Sequence, residues 1–272
     1  MIVPAGNRKE VIEDCLKSVR WADELIVVDS LSTDGTLEVA RKYADRILRH
    51  EYGFSARQKN WAIPQAAHEW VLLIDTDERV TGALKREIEE VLSSPHEYAA
   101  FRIPRLNWVL GKEVRHAGYY PDYQIRLFRR DKSRYQMRRV HAHMNVDGKV
   151  GYLEKPIVHY AHRSVDQTLR NLLVLMTTWE AEERREREGA RGKKFGKPRL
   201  FFNILARPVA VFLYLFLVKG GWKDGMHGLF VSAMWGFYAS VTYMKIWEQG
   251  LRLPEKWWER AWKRHENPGG TE

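Results

Sequence analysis

Cysteine is almost absent: the 272-residue chain has only Cys15, which excludes an intrachain disulfide and any zinc site built on a Cys-x-x-Cys pair. A reducing, cytosolic setting is the simplest expectation, with Cys15 itself a small buried apolar residue. Acidic side chains are in deficit, since 35 Asp and Glu stand against 45 Lys and Arg, a formal charge of +10. Phosphate-bearing partners fit that surplus, whether nucleotide, anionic lipid or nucleic acid, and charge alone does not choose among them. Long apolar runs are also missing. The segment after Met1 turns polar by Asn7-Arg8-Lys9-Glu10, so no signal peptide is expected, and "MIVP" supplies only half a buried strand, as if a few residues were missing ahead of it. The run Val209 to Val218 is ten residues, a rise of about 15 Å and roughly half the hydrocarbon thickness. Extending it back to Leu200 places Arg207 near mid-membrane, at about 2.5–3.5 kcal/mol, so a comfortable membrane span is not expected.

What is present in the first hundred residues is an alternation of short apolar runs and helical patterns. Met1-Ile2-Val3, Glu24 to Asp29, "RILRH" and "EWVLLID" read as strands; Lys9 to Arg20, Gly35 to Tyr43, Ser55 to Ala67 and Thr81 to Leu92 read as helices. Nearly all-apolar strands alternating with helices predict a parallel, doubly wound α/β sheet covered on both faces. After Ser94-Pro95, "YAAFRIPRLNWVLG", "YQIRLFRR" and "VGYLEKPIVHYAH" predict a mixed continuation of that sheet.

A long helix is expected from Asp166, with Leu169, Leu172, Leu173, Met176 and Trp179 at helical spacing, broken by the basic linker "GARGKKFGKP". Pro208 suits a helix start before the apolar run. Trp222, Trp235, Tyr238, Tyr243, Trp247, Trp257 and Trp258, flanked by Lys and Arg, resemble an interfacial membrane anchor. The alternative is a helical hairpin packed on the core, or an oligomer contact. The expected division is 1–165 for a catalytic domain and 166–272 for a helical extension.

Two acidic motifs fall at predicted strand ends, where open α/β sheets bind ligands. "VVDSLSTDGT" puts Asp29 at one tip, where the strand itself has no need of a carboxylate; Asp34-Gly35 makes a turn and Ser32, Thr33 or Asp34 can cap the next helix. "LLIDTDERV" puts Asp75 and Asp77 at another tip. Residues two apart in extended backbone point the same way, and two carboxylates so placed suit a divalent cation shared with a diphosphate.

The order "IVPAGNRKEVIEDCLKSV", "ELIVVDSLSTDGT", "FSARQKNWA" and "VLLIDTDERV" resembles the family 2 glycosyltransferases. "YYPDYQIRLFRR", Val140-His141, "IVHYAH" and "KGGWKDGMHGL" extend the resemblance toward the bacterial lipopolysaccharide-core glucosyltransferases of the WaaE type. It implies a GT-A fold and an inverting, metal-dependent transfer of a hexose from a nucleotide sugar, a UDP-sugar first. The acceptor implied is a glycolipid or lipid-linked glycan, probed first as lipopolysaccharide inner core, at the inner face of the cytoplasmic membrane. By motif position Pro4, Ala5 and Asn7 meet the base, Asp29 and Ser30 the nucleoside, Lys59 the base and phosphates, and Asp75, Thr76 and Asp77 the ribose and metal-bridged diphosphate. Mg²⁺ or Mn²⁺ is the implied cofactor, acting as a Lewis acid on the leaving diphosphate.

Three positions depart from the family pattern: Ser30 for a second Asp, Leu31 for a frequent Gly, and Ala142 where relatives often carry Glu. The base then has to come from elsewhere, and Asp122, between aromatics that could stack on a sugar and raise its pKa, is the first candidate. Its alternative is an ordinary turn residue after Pro121. Of the histidines, His159 is expected to complete the metal coordination and His141 to serve the reaction; without cysteine, a separate zinc centre is not expected. The basic clusters 126–139 and 191–199 fit an anionic membrane or phosphorylated acceptor better than base readout. The rival readings are a polyprenyl-phosphate glycosyltransferase and an inactive relative that binds membrane or nucleic acid.

Overall fold

The computed structural model describes residues 1–192 and 195–251. Trp257 and Trp258 of the aromatic cluster, and Lys193 and Lys194 of the basic linker, lie outside the described residues. Strand β1 (Ile2–Ala5), helix α1 (Lys9–Ser18), strand β2 (Ile26–Asp29), helix α2 (Thr36–Ala40) and strand β3 (Arg46–Arg49) build a parallel sheet in the order β1-β2-β3. Its strands alternate between two cores. Val3 and Val27 pack with Ile12 and Leu16 of α1, while Ile2, Ile26 and Val28 face the opposite cluster with Leu73 and Phe128. Cys15 is fully buried as expected, and burial pushes its thiol pKa up, which leaves it inert.

Helix α3 (Ser55–Ala62), strand β4 (Trp70–Leu72), strand β5 (Glu78–Val80) and helix α4 (Gly82–Ser93) follow. Then come β6 (Tyr98–Val109), β7 (Lys112–Glu113), β8 (Asp122–Arg129), β9 (Ser133–Tyr135), β10 (Met144–Val146), β11 (Lys149–Tyr152) and β12 (Ile157–His162). The larger sheet runs β4-β8-β6-β12-β5, with β7 and β11 also on β6; both parallel and antiparallel ladders occur in it. One parallel bridge, Ile2 to Leu73, joins the two sheets into the expected mixed α/β surface. The apolar run at 71–74 is therefore buried throughout although its regular ladder ends at Leu72: Leu73 and Ile74 are held by backbone bonds to Arg126 and Ile2. Strand β5 was not anticipated. It pairs antiparallel with β12 and sets Glu78 opposite His159.

The predicted helix after Asp166 is present as α5 (Val165–Thr168), a π-helical stretch over Leu169–Met176 and α6 (Thr177–Ala190). Helix α7 (Lys197–Leu213) passes into π-helix over Tyr214–Val218; a short 3₁₀ turn precedes α8 (Met226–Leu251). Pro208 does not start α7 but lies inside it. Its ring nitrogen cannot donate to the Ile204 carbonyl, and the Ser240 hydroxyl of α8 donates to that oxygen at 2.8 Å instead. Gly236 lets α8 approach: a Cβ there would sit 3.0 Å from the Pro208 carbonyl oxygen. Arg207 turns toward α8, donating to Asn203 and to the Tyr243 hydroxyl, both at 3.1 Å.

Candidate active site

The ends of β1 and β2 and the turn after β4 open into one cavity of about 650 Å³. Pro4, Ala5, Asn7, Ser30, Lys59, Asp75, Thr76, Asp77 and His159 all line it, so most of the residues chosen from motifs come together. Asn7 adopts a positive φ of 51°, a conformation Asn tolerates; its Oδ1 accepts the Thr33 N–H at 2.9 Å, and its own N–H donates to Ser32 Oγ. Those bonds tie the two strand-end loops into one rim. Ser30 Oγ accepts from Gln58 Nε2 at 2.8 Å. Asp29 is fully buried and is not among the lining residues. Its carboxylate accepts the Ser32 N–H and lies 3.8 Å from Arg49 Nε, holding the turn from beneath.

Asp75 is gripped by two cations. Lys59 Nζ lies 2.8 Å from its Oδ1 and Arg126 Nη2 lies 2.6 Å from its Oδ2, and its N–H donates to Glu78 Oε2 at 2.9 Å. Burial works to raise its pKa, but Arg126 and Lys59 outweigh it and hold the carboxyl well below the usual carboxylate range. The same Arg126 nitrogen donates to the fully buried Glu78, whose Oε1 lies 3.6 Å from Arg105 Nη1; Arg105 Nε in turn donates to Asp122 at 2.9 Å. Lys59, Asp75, Arg126, Glu78, Arg105 and Asp122 thus form a ladder of alternating charge running from the cavity into the sheet. Each charge is compensated by its neighbours, as burial requires.

Asp77 and His159 form the second feature. His159 Nε2 stands 3.8 Å from Asp77 Oδ1. His159 Nδ1 meets Asn107 Oδ1 at 2.6 Å, and the Asn107 amide donates to the Tyr119 carbonyl at 2.6 Å. An amide so oriented offers only its oxygen to the imidazole, so the proton resides on Nδ1 and the Nε2 lone pair faces Asp77. Burial lowers the His159 pKa, keeping the ring neutral, against the opposing pull of Asp77. Burial raises the Asp77 pKa, with Asp75 and Glu78 adding to the rise and His159 opposing it. A neutral imidazole lone pair facing a carboxylate beside two further acids is a donor pair that fits a hard divalent cation. Among the described residues no group of three or more His, Cys, Asp or Glu could hold a metal by itself. The remaining positions would fall to water and a diphosphate, the usual habit of Mg²⁺.

Besides Asp29, two predicted residues lie elsewhere. Asp122 is outside the cavity lining, where Arg105 clasps it and Gln124 Nε2 donates to it at 2.8 Å. Its expected raised pKa is reversed: burial works upward, but Arg105 and the hydrogen bonds hold the carboxyl low. His141 packs against α8, its Nε2 3.1 Å from the Tyr238 hydroxyl, and it too is absent from the lining. Conversely, motif reading passed over Arg8, Gln58, Asn171, Leu175, Met176 and Trp179, which do line the cavity. Met176 and Trp179 had shown only helical spacing. Asn107 carried a usable signal, a buried amide in the strand "RLNWV".

An α/β sheet whose strand ends deliver an Asp-x-Asp pair to a polar cavity defines a GT-A transferase. Residues 1–160 match the model described as Glycosyl transferase family 2, and the chain belongs to that family of glycosyltransferases. It is 29% identical over 256 residues to the lipopolysaccharide core biosynthesis glycosyltransferase LpsC of Rhizobium meliloti (strain 1021), covering 89% of each chain. An uncharacterized glycosyltransferase of Rickettsia typhi is 26% identical over 258 residues, or 90% of this chain and 85% of that one. The fold is shared with the mannosyltransferase PcManGT from Pyrobaculum calidifontis in complex with GDP-Man and Mn²⁺, at a TM-score of 0.51 and 17% identity, covering 90% of this chain and 85% of that one.

Proposed function

We propose that this glycosyltransferase moves a hexose, with inversion, from a nucleotide-diphosphate sugar to a membrane-associated glycan of the lipopolysaccharide core type, working at the inner face of the cytoplasmic membrane. The observation that carries the donor half is the Asp77–His159 pair beside Asp75, with Nε2 3.8 Å from Oδ1 and its lone pair fixed by Asn107. Asp77 and His159 would hold Mg²⁺ or Mn²⁺, which when bound supplies Lewis-acid stabilisation of the departing diphosphate. Asp75, kept ionised by Lys59 and Arg126, accepts hydroxyls of the donor. Pro4, Ala5, Asn7, Ser30 and Thr76 shape the nucleoside end; Asp29 supports the same turn from below. The similarity to LpsC supports a lipopolysaccharide-core acceptor.

Asp122 is proposed as the base for an acceptor bound beside the cavity, since its carboxylate does not line the cavity itself. A carboxylate held below its usual pKa is a weak base, yet it is ionised across the neutral range. It suffices when the new C–O bond is well advanced and the acceptor oxygen has become acidic. The surroundings of His141 favour a packing role on α8. The test is turnover of UDP-, GDP- and ADP-sugars with an isolated core acceptor. Activity that persists in EDTA and in Asp77→Ala would contradict the metal-assisted reading. Asp122→Asn is expected to lower kcat by about 10²-fold or more with the donor KM unchanged. If Arg105→Leu/Asp122→Asn restores the rate, Asp122 is only an ion-pair partner.

A further inference from the structure

Helix α7 and its π-helical continuation show exposed residues in pairs that recur every four positions, from Phe201-Phe202 to Leu217-Val218, and every exposed side chain in that span is apolar or aromatic. The segment Lys197–Val218 is long and apolar enough to cross a membrane. Its other face is already engaged, however, since Asn203, Arg207 and the Ile204 carbonyl all bond across to α8 or within the helix on that side. Helix α8 is itself docked on the sheet domain. The neighbouring turn's Asp224 accepts from His116 N–H at 2.8 Å, and Tyr238 meets His141. Among the described residues, one face of α7 is left uncovered.

We infer that this face lies in the plane of an anionic bilayer, its apolar stripe sunk to the acyl boundary as a monotopic anchor. A second copy of the chain is the competing occupant, but protein interfaces bring roughly one hydrogen bond per 100–200 Å². Along the stripe only the Tyr214 hydroxyl offers one, whereas acyl chains require none. The C-terminal end of the stripe carries the headgroup chemistry: Lys219 stands over the Tyr214 ring and Lys223 over the exposed Trp222 ring, each at 5.6 Å. The chain's +10 charge matches anionic lipid. The anchor is tied to the cavity as well. From α8, Lys245 Nζ donates to the Val174 carbonyl at 2.7 Å and to Thr178 Oγ1 at 2.6 Å, bracing the π-helical stretch that supplies Leu175 and Met176 to the cavity wall. The inference deepens the membrane location proposed above, and it is tested without donor or acceptor, so that either can fail alone.

Because Cys15 is fully buried, Val209→Cys in the full chain can be labelled singly with an environment-sensitive fluorophore. On phosphatidylcholine vesicles containing about 30% phosphatidylglycerol, the label should shift to the blue and be quenched by acyl-chain spin labels. A label at the exposed Glu90→Cys should do neither. Leu205→Glu/Val209→Glu/Leu213→Glu should lower vesicle partitioning at least roughly tenfold, with the unfolding midpoint unchanged because all three sites are exposed. Release by alkaline carbonate supports an in-plane helix; retention would overturn it in favour of a span. No vesicle binding, with a dimer that the triple substitution dissolves, would overturn it in favour of a second copy.

Discussion

Asp75 stays ionised in a partly buried setting because Lys59 and Arg126 hold it, and that arrangement has measurable consequences. Arg126→Met removes the cation from between Asp75 and Glu78 and should destabilise the fold by about 3–5 kcal/mol in urea unfolding. The folded pKa of Asp75 is depressed, so its contribution is present above the unfolded value of about 3.9 and is lost as pH falls below it. Acid titration of stability should therefore show a shallower loss below that pH in Arg126→Met than in the parent. Leu31 has a φ of 60°, where the family's frequent glycine would be relaxed, and half its surface is exposed. Leu31→Gly should raise the thermal midpoint, since the left-handed region costs a side-chain-bearing residue about 1–2 kcal/mol. The Asp-x-Asp pair was legible as two carboxylates at the end of an apolar strand, although they sit on a turn closed by the Glu78 N–H on the Asp75 carbonyl and not in extended chain. The tautomer of His159 was not, because it depends on Asn107, some fifty positions away in sequence.

Among the elements, the parallel half of the sheet followed directly from uninterrupted apolar runs, since strands covered on both faces leave little room for polar residues. Strand β5 escaped because its three residues, Glu78-Arg79-Val80, look like the polar tail of the acidic motif; only Val80 is apolar, and Glu78 is buried by its ion pairs. Pro208 was misleading for a related reason: its missing donor is compensated across an interface, by Ser240. Ser240→Ala should cost about 1 kcal/mol in unfolding free energy, with Ser240→Thr as the variant that retains the hydroxyl. At the end of β12, burial pushes His162 down to about 4, and its ring meets the Tyr119 hydroxyl at 2.8 Å and Thr168 at 3.2 Å. The unfolded histidine binds its proton near pH 6.5. Stability should therefore fall as pH drops from about 6.5 toward about 4, and His162→Asn should remove that part of the pH dependence in denaturant titrations.

At the scale of the whole molecule, the helical region after residue 165 and the sheet domain share one cavity, since Asn171, Leu175, Met176 and Trp179 line it together with Pro4 and Asp75. Hydrophobic periodicity placed Met176 and Trp179 on a helix and gave no sign that they face a ligand, because a cavity wall and a core face present the same spacing. The proposed division at 165/166 is thus a boundary in chain character, across which the donor cavity is assembled. At that cavity Asp77 and His159 are proposed to hold a divalent cation together with a nucleotide sugar. A thermal-shift panel of UDP-, GDP- and ADP-sugars, each with Mn²⁺ or with EDTA, tests it directly, because a ligand bound only to the native state raises the midpoint. One nucleotide class should stabilise the chain with Mn²⁺ and far less with EDTA, and Asp77→Ala and His159→Ala should abolish the difference. An equal shift in EDTA, or an unchanged Mn²⁺ dependence in both variants, would contradict it.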